Sequence, residues 1–303
     1  MKIAVVGAGA LGSVYGARLS RVAEVTFVVR SLDRAPRHIR LEHAMSGDRL
    51  ELDAPRAATT VPAGTDVVLV AVRVDQLDDA LFGKLADECA RDSLVVVLAP
   101  LLPHAWERAH AKLGDRLVAA MPGVIAYQPE PGRVRYWTPR PSPTQIEDRG
   151  ERTHALVAAL REAHVPAETS SRVRATNAAV TIAFFPMLTG IAAGGGSIDR
   201  MLADDAVMKL GFAASKETLP IAKSFGALPA WGAFFFNFVG PFTARAGIKL
   251  GRARVPEAFT FLEQHFGHKL AEQNKAIFHE IELLAAERGV KIDNLRKLVA
   301  RSG

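Results

Sequence analysis

The chain has 303 residues, enough for two domains with sizeable cores. Its 49% hydrophobic and 23% charged residues exclude a disordered or fibrous chain, and its one cysteine, Cys89, excludes an internal disulfide and fits a reducing, cytoplasmic compartment. The net charge of +6 is spread among acidic residues, as in Arg149-Gly150-Glu151-Arg152, without a basic block interleaved with aromatics; that argues against nucleic acid as a partner and suits an anionic cofactor or substrate.

Met1-Lys2 runs straight into a strand pattern, so no signal peptide is expected. Residues 3 to 8 form a short apolar run of the kind that makes a buried parallel strand. Leu11 to Arg21 reads as a helix with small residues at Gly12, Gly16 and Ala17, and Val25 to Arg30 as a second strand. Asp66 to Val72 is a third strand. Leu77, Leu81, Leu85 and Cys89 then recur every four residues, which predicts an amphipathic helix with Asp75 as its N-cap. Ser93 to Ala99 and Leu117 to Met121 are further buried strands.

From Arg133 to Ser170 the pattern is mixed, with short strand-like pieces, a proline-rich turn at Pro139 to Pro143 and a helix near Thr153 to Ala163. Beyond Ser171 strand signals vanish and the chain reads as helices, one of them from Ala271 to Glu287. Gly194-Gly195-Gly196-Ser197 ends one helix and caps the next. The apolar stretches Ala178 to Ala193 and Ala227 to Phe242 are broken by Pro186, Pro229, Asn237 and Pro241. Both read as core or subunit-interface helices, with no membrane span expected. Strands alternating with helices imply an α/β class: an N-terminal Rossmann domain with a doubly wound parallel sheet over residues 1–170, and a C-terminal all-helical domain over 171–303.

The chemistry starts at Gly7-Ala8-Gly9-Ala10-Leu11-Gly12. A bare glycine pattern is weak evidence, but this one leaves a strand and opens a helix, the context a dinucleotide site requires. Gly7 permits the tight turn, Gly9 removes a side chain that would block a pyrophosphate, and Gly12 lets helix and strand pack closely. The helix start at Ala10 and Leu11 then offers N–H groups and a partial positive charge to phosphate. An NAD site carries Asp or Glu after the second strand, whereas this chain has Arg30, with Arg34 and Arg37 nearby, which favours the 2′-phosphate of NADP over a solvated arginine. Arg73 ends the third strand, where a cation faces the ligand side of an open sheet or simply leads into the next helix.

On these features the chain resembles the ketopantoate reductase family. The likeness rests on the Gly7 to Gly12 turn with Arg30, on Asp66 to Arg73 followed by a helix starting with an aspartate, and on the two-domain plan with a Phe185-Pro186 step where the family has Asn-Pro. The resemblance implies that the first domain binds NADPH and that the second closes over a small 2-oxo acid. It carries the family's cleft lysine onto Arg73 and the asparagine of an Asn-Gly turn onto Pro100, which has neither amide nor N–H. The family's general-acid lysine falls on Asn177, a second asparagine on Thr181, and the late substrate-holding glutamate on Gln273, or on Glu272 with a one-residue shift.

The position that should donate a proton therefore cannot ionise. Lys209, Lys216 and Lys223 lie roughly along one helix face and are either a substitute cation or, more simply, a solvated stripe. His265 and His268 could share a helix face, but no metal site is expected. The expectation is an NADP-dependent reductase of a small-molecule carbonyl or imine, with Arg73, Asn177, Thr181 and Gln273 as its altered catalytic set. The aromatic run Trp231 to Phe238 points to an apolar substrate or to a homodimer through the helical domain. A non-catalytic NADP sensor or scaffold, and an opine-dehydrogenase-like enzyme, remain open alternatives.

Overall fold

The computed structural model describes residues 1–139, 142–229, 240–266 and 271–302. The chain divides into two compact units, Met1–Arg174 and Ala175–Gly303. In chain order, the first unit opens with β1 (Lys2–Val6), α1 (Ala10–Leu19), β2 (Glu24–Val28), β3 (His38–His43), β4 (Arg49–Asp53), β5 (Ala57–Ala58) and β6 (Val67–Val70). It continues with α2 (Asp79–Glu88), β7 (Leu94–Val97), α3 (Pro103–Leu113), β8 (Leu117–Met121), β9 (Ile125–Glu130) and β10 (Arg133–Trp137). It closes with β11 (Thr144–Glu147), α4 (Glu151–Glu162) and β12 (Ala167–Ser170).

Eight of these strands form one sheet in the order β12-β11-β8-β7-β6-β1-β2-β5. Neighbours are parallel except β8 and β11. The continuous Val/Ile/Leu runs make sense once both faces are covered. Ile3, Val5, Phe27, Leu69 and Val96 point to one core with Tyr15 and Leu19 of α1 and Leu156 and Leu160 of α4. Ala4, Val6, Val68, Val70, Val95 and Val97 point to the other, with Phe82 and Leu85 of α2 and Ala105, Trp106 and Ala109 of α3. Helices on both faces make the sheet doubly wound, as expected. The winding reverses between β1 and β6, which leaves a crevice at their carboxyl ends.

The second sheet, β4-β3-β10-β9, has four strands, and its β3–β4 hairpin was not expected. Ile39 and Leu41 are buried on one side of β3, while His38, Arg40 and Glu42 alternate on the other. A buried polar cluster ties this sheet to α1. Arg18 of α1 is ion-paired with Asp48 in the β3–β4 turn and donates to the Tyr136 hydroxyl of β10. The Arg18 hydrogen bond holds the Asp48 carboxyl below the ordinary carboxylate range. One turn earlier, the Tyr15 hydroxyl is 2.6 Å from Thr144 Oγ1, and complete burial pushes its phenol up.

The second unit contains only helices among its described residues: α5 (Val173–Ala193, begun in the last residues of the first unit), α6 (Ile198–Ala203), α7 (Asp205–Lys223), α8 (Pro241–Arg254), α9 (Pro256–Phe266), α10 (Ala271–Glu287) and α11 (Asp293–Ser302). Gly195 and Gly196 take φ of +64° and +76°, and Ser197 caps α6 by accepting the Arg200 N–H, as the glycine run implied. Helix α5 is long and apolar enough by composition to cross a membrane, but 56% of that window is buried inside the protein, as in a core helix. Lys209, Lys216 and Lys223 are all exposed on α7, which makes them a solvated stripe. The run Trp231 to Phe238 and His268 lie outside the described residues, as does the side chain of His265.

Two local expectations need correction. Strand β2 stops at Val28, so Arg30 stands in the turn beyond it. Asp75 does not cap α2: Asp78 does, accepting the Leu81 N–H at 2.8 Å, because Val74–Gln76 first forms a separate helical turn.

Removing Arg18 strands the buried Tyr136 hydroxyl and the ion-pair partner Asp48. Hydrogen bonds to charged groups contribute about 1.5–3 kcal/mol, so Arg18→Ala should lower the melting temperature by roughly 4–8 °C. Circular-dichroism melting checks this, and an unchanged melt would remove Arg18 as the anchor of the second sheet.

Candidate functional site

The crevice at the switch point is built by the β1–α1 turn. Gly7 has φ +98°, and a Cβ there would lie 2.9 Å from Val72 Cγ1, so both backbone and space require glycine. A Cβ on Gly12 would collide with the Gly7 carbonyl oxygen. Gly9, the N-cap of α1, is different. Its φ of −75° and ψ of −170° suit any residue, and a Cβ there would meet nothing within 4 Å. Nothing in the fold demands this glycine, and the open space in front of it is what a bound pyrophosphate would fill. The first turn of α1 carries no acidic side chain, so its N–H groups at Ala10, Leu11 and Gly12 present an uncompensated positive end.

An open cleft of about 1310 Å³ runs from this turn along the β2 and α2 side. Gly7, Ala8 and Gly9 line it together with Arg30, Arg34, Gln76, Asp78 and Lys84. Three cations thus face one carboxylate, and that carboxylate is occupied in capping α2. Lys84 is held by the Thr59 carbonyl at 2.9 Å. Asp33, the carboxylate on the β2 exit, takes the Ser31 hydroxyl within its own turn, which holds it below the ordinary range. The cleft has the charge balance of a polyanion site, with no acidic group placed to bond a ribose diol.

Arg73 leaves β6 at the same carboxyl edge. Its guanidinium binds Asp75 through both oxygens, at 2.9 and 2.7 Å. That pairing fixes the plane of a 46%-exposed cation that stays protonated. The next exit, from β7 to α3, is Leu98-Ala99-Pro100-Leu101-Leu102-Pro103, in which Leu98, Ala99, Leu101 and Leu102 are buried. The first polar side chain after β7 is His104, half-buried in the first turn of α3. Sequence reading passed over it because its signal lies in the topology, not in a motif.

The remaining expected residues belong to the second unit. Asn177 is buried on α5, and Thr181, one turn along, is half-buried on the same face. Gln273 is half-buried on α10. The structure groups Gly7, Gly9, Arg30, Arg34 and Lys84 around one cleft, and Asn177 with Thr181 on one helix face. No cluster of three or more His, Cys, Asp or Glu able to hold a metal occurs among the described residues.

The model for the family "Ketopantoate reductase PanE/ApbA" matches residues 3–149. No curated protein sequence matches the chain significantly. Several solved structures share the fold. The 2-dehydropantoate 2-reductase from Geobacter metallireducens GS-15 superposes with a TM-score of 0.71 at 20% identity, covering 100% of this chain and 99% of that one. The ternary structure of D-mandelate dehydrogenase with NADH and anilino(oxo)acetate gives 0.71 at 16% identity, with 100% and 97% covered. A dimeric ketopantoate reductase from Staphylococcus aureus gives 0.68 at 13% identity, also with 100% and 97% covered.

The glycines make a differential prediction. Gly12→Val forces α1 off β1 and should melt far below the parent or fail to fold, because the clash is with backbone. Gly9→Val should fold normally, with a melting temperature within about 3 °C, since it costs only a capping preference of a few tenths to 1 kcal/mol. Thermal unfolding of the two variants side by side decides this, and equal damage from both would deny Gly9 its ligand-facing role.

Proposed function

Because the chain is a divergent member of the ketopantoate reductase family, an oxidoreductase family whose model covers its N-terminal domain, we propose that it is an NADPH-dependent reductase acting on the carbonyl, or the imine, of a small carboxylate-bearing molecule. The observation that carries this reading is the charge of the cleft beside the glycine turn: Arg30, Arg34 and Lys84 against the single, already engaged Asp78. Residues 1–170 then form the cofactor domain, and 171–303 the substrate and dimerisation domain of a cytoplasmic enzyme.

A bound nicotinamide dinucleotide supplies the hydride. The pyrophosphate lies against Gly9 and the first turn of α1, with Ala10, Leu11 and Gly12 donating from the backbone. Arg30 takes the 2′-phosphate by its planar fork, with Arg34 and Lys84 adding charge. Arg73, held flat by Asp75, orients a substrate carboxylate or steadies negative charge growing on the carbonyl oxygen. Asn177, Thr181 and Gln273 complete the polar lining of the substrate site. Asn177 orients by hydrogen bonding, since an amide has no proton to give at neutral pH.

Homodimerisation through the helical unit is supported by α8, where Phe242 and Leu250 are 82% and 54% exposed. The dimeric state described for the Staphylococcus aureus neighbour accords with it. A second reading, NADP binding without turnover, is favoured by one feature: Pro100 and Asn177 stand where the family has an asparagine and the proton-donating lysine.

Cofactor choice is open to direct test, because a neighbour of the same fold was solved with NADH. NADPH should bind at least about tenfold tighter than NADH, a difference of about 1.4 kcal/mol. Arg30→Ala should erase most of that preference while leaving NADH affinity nearly unchanged. Fluorescence titration with both cofactors measures it, and equal affinities in the parent would refute the NADP assignment. A screen of 2-oxo acids, ketones and imines, following NADPH absorbance, then separates the reductase from the binding protein. Turnover with some substrate, falling sharply in Arg73→Ala, is the expected result, and silence with tight NADPH binding favours the second reading.

A further inference from the structure

Reduction of a carbonyl needs a proton as well as a hydride, and the residues set in the family's places do not supply one. Asn177 does not ionise, and Arg73 keeps its proton throughout the range in which proteins are folded. In an open parallel sheet the reacting groups stand on the segments leaving the carboxyl ends of the strands. Those segments can be followed one by one in the first unit.

The β1 exit is the glycine turn, with no ionisable side chain before α1. The β2 exit carries Arg30, Asp33 and Arg34, and the β6 exit carries Arg73, Asp75 and Asp78. Each of these carboxylates already has a partner: Asp33 with Ser31, Asp75 with Arg73, Asp78 with the Leu81 N–H. The β8 exit, Pro122-Gly123-Val124, has none. The β7 exit is apolar until His104, in the first turn of α3. An imidazole is the side chain that exchanges a proton near neutral pH.

The position suits the direction of the cofactor. The cations that would hold its adenosine end, Arg30 and Arg34, lie on the β2 side of the glycine turn. The nicotinamide half must run the other way, over β6 towards β7. Neighbouring strands are about 4.8 Å apart, so the end of β7 lies roughly 10 Å from the turn that holds the pyrophosphate, within reach of the extended ring.

We propose that His104 is the proton donor of the reaction. This rests on the nicotinamide reading given above. In the step, the carbonyl carbon accepts the hydride, the C=O π pair moves onto the oxygen, and that oxygen takes a proton from a ring N–H of the His104 imidazolium. The imidazole is left neutral, the dinucleotide is oxidised and the substrate leaves as an alcohol; solvent reprotonates the ring. The buried apolar residues around the β7 exit provide no competing donor there.

Two measurements test it. In the NMR spectrum of the intact chain, the imidazole resonance assigned by its loss in His104→Gln should shift on adding NADP⁺. It should stay in place with 2′,5′-ADP, which lacks the nicotinamide half. NADP⁺ binding that leaves the resonance unmoved overturns the role of His104 while the cofactor reading stands, and failure of both ligands to bind overturns that reading and the role together. With a carbonyl substrate from the screen, His104→Gln should cut kcat about 100-fold or more at unchanged NADPH affinity, and a loss under about threefold overturns the proposal. Added imidazole should restore part of the rate to His104→Ala, which a purely structural role of His104 would not produce.

Discussion

The close approach of helix α1 to strand β1 is the contact on which the rest of the first unit depends. It is made backbone to backbone. A Cβ on Gly12 would strike the Gly7 carbonyl, and one on Gly16 would strike the buried ring of Phe27. Because no side chains keep the two apart, the helix lies directly over the switch point, with its N–H groups aimed into the crevice. The opposite end of the same helix carries Tyr15 and Arg18, which pin Thr144, Asp48 and Tyr136. One ten-residue helix thus positions the anion site at its start and anchors the second sheet at its end.

Charge at the sheet edge is sorted by neighbouring partners. Every carboxylate on the β2 and β6 exits is held by a hydroxyl, a guanidinium or a backbone N–H. The effect is to leave Arg30, Arg34 and Lys84 dominant in the cleft without adding further cations. Lys84 comes from α2, more than fifty residues beyond Arg30, and the two are brought together only by the crossover from β2 through β6. A polyanion is favoured here by three cations of different stiffness: two planar forks that match phosphate geometry and one flexible ammonium.

Legibility in the sequence followed the range of the interaction. The glycine turn, its strand and its helix were readable because all the constraints fall within one dozen residues. The buried strands β6, β7 and β8 were readable because a continuous β-branched run has few other uses. The β3–β4 hairpin was missed: its alternation is carried by Ile39, Leu41, Leu50 and Leu52 alone among many charges, and its partner β10 lies some ninety residues away. Asp75 and Asp78 were confused for a related reason. Both precede the leucine repeat, and only the intervening helical turn, stabilised by the Arg73–Asp75 pair, decides which one caps α2. Of the candidate site, the phosphate-facing residues were legible, whereas the cleft contributions of Lys84 and Gln76 and the placement of His104 needed the topology.

The altered positions in the second unit gain a common meaning from this arrangement. A lysine that gives up a proton must have its pKa lowered by burial or neighbouring charge, and that destabilises the ammonium it starts from. Asn177 is buried at 3% exposure. An amide there carries no charge to desolvate, so the helix gains what a buried ammonium would cost. The proton must then come from a group whose ordinary pKa already lies near neutrality, or from a substrate that brings its own, as a protonated imine does. A half-buried imidazole at the end of β7 meets the first requirement with no perturbation of a lysine. The second would make the histidine dispensable, so the chemistry of the substrate and the need for an acid are a single question about this site.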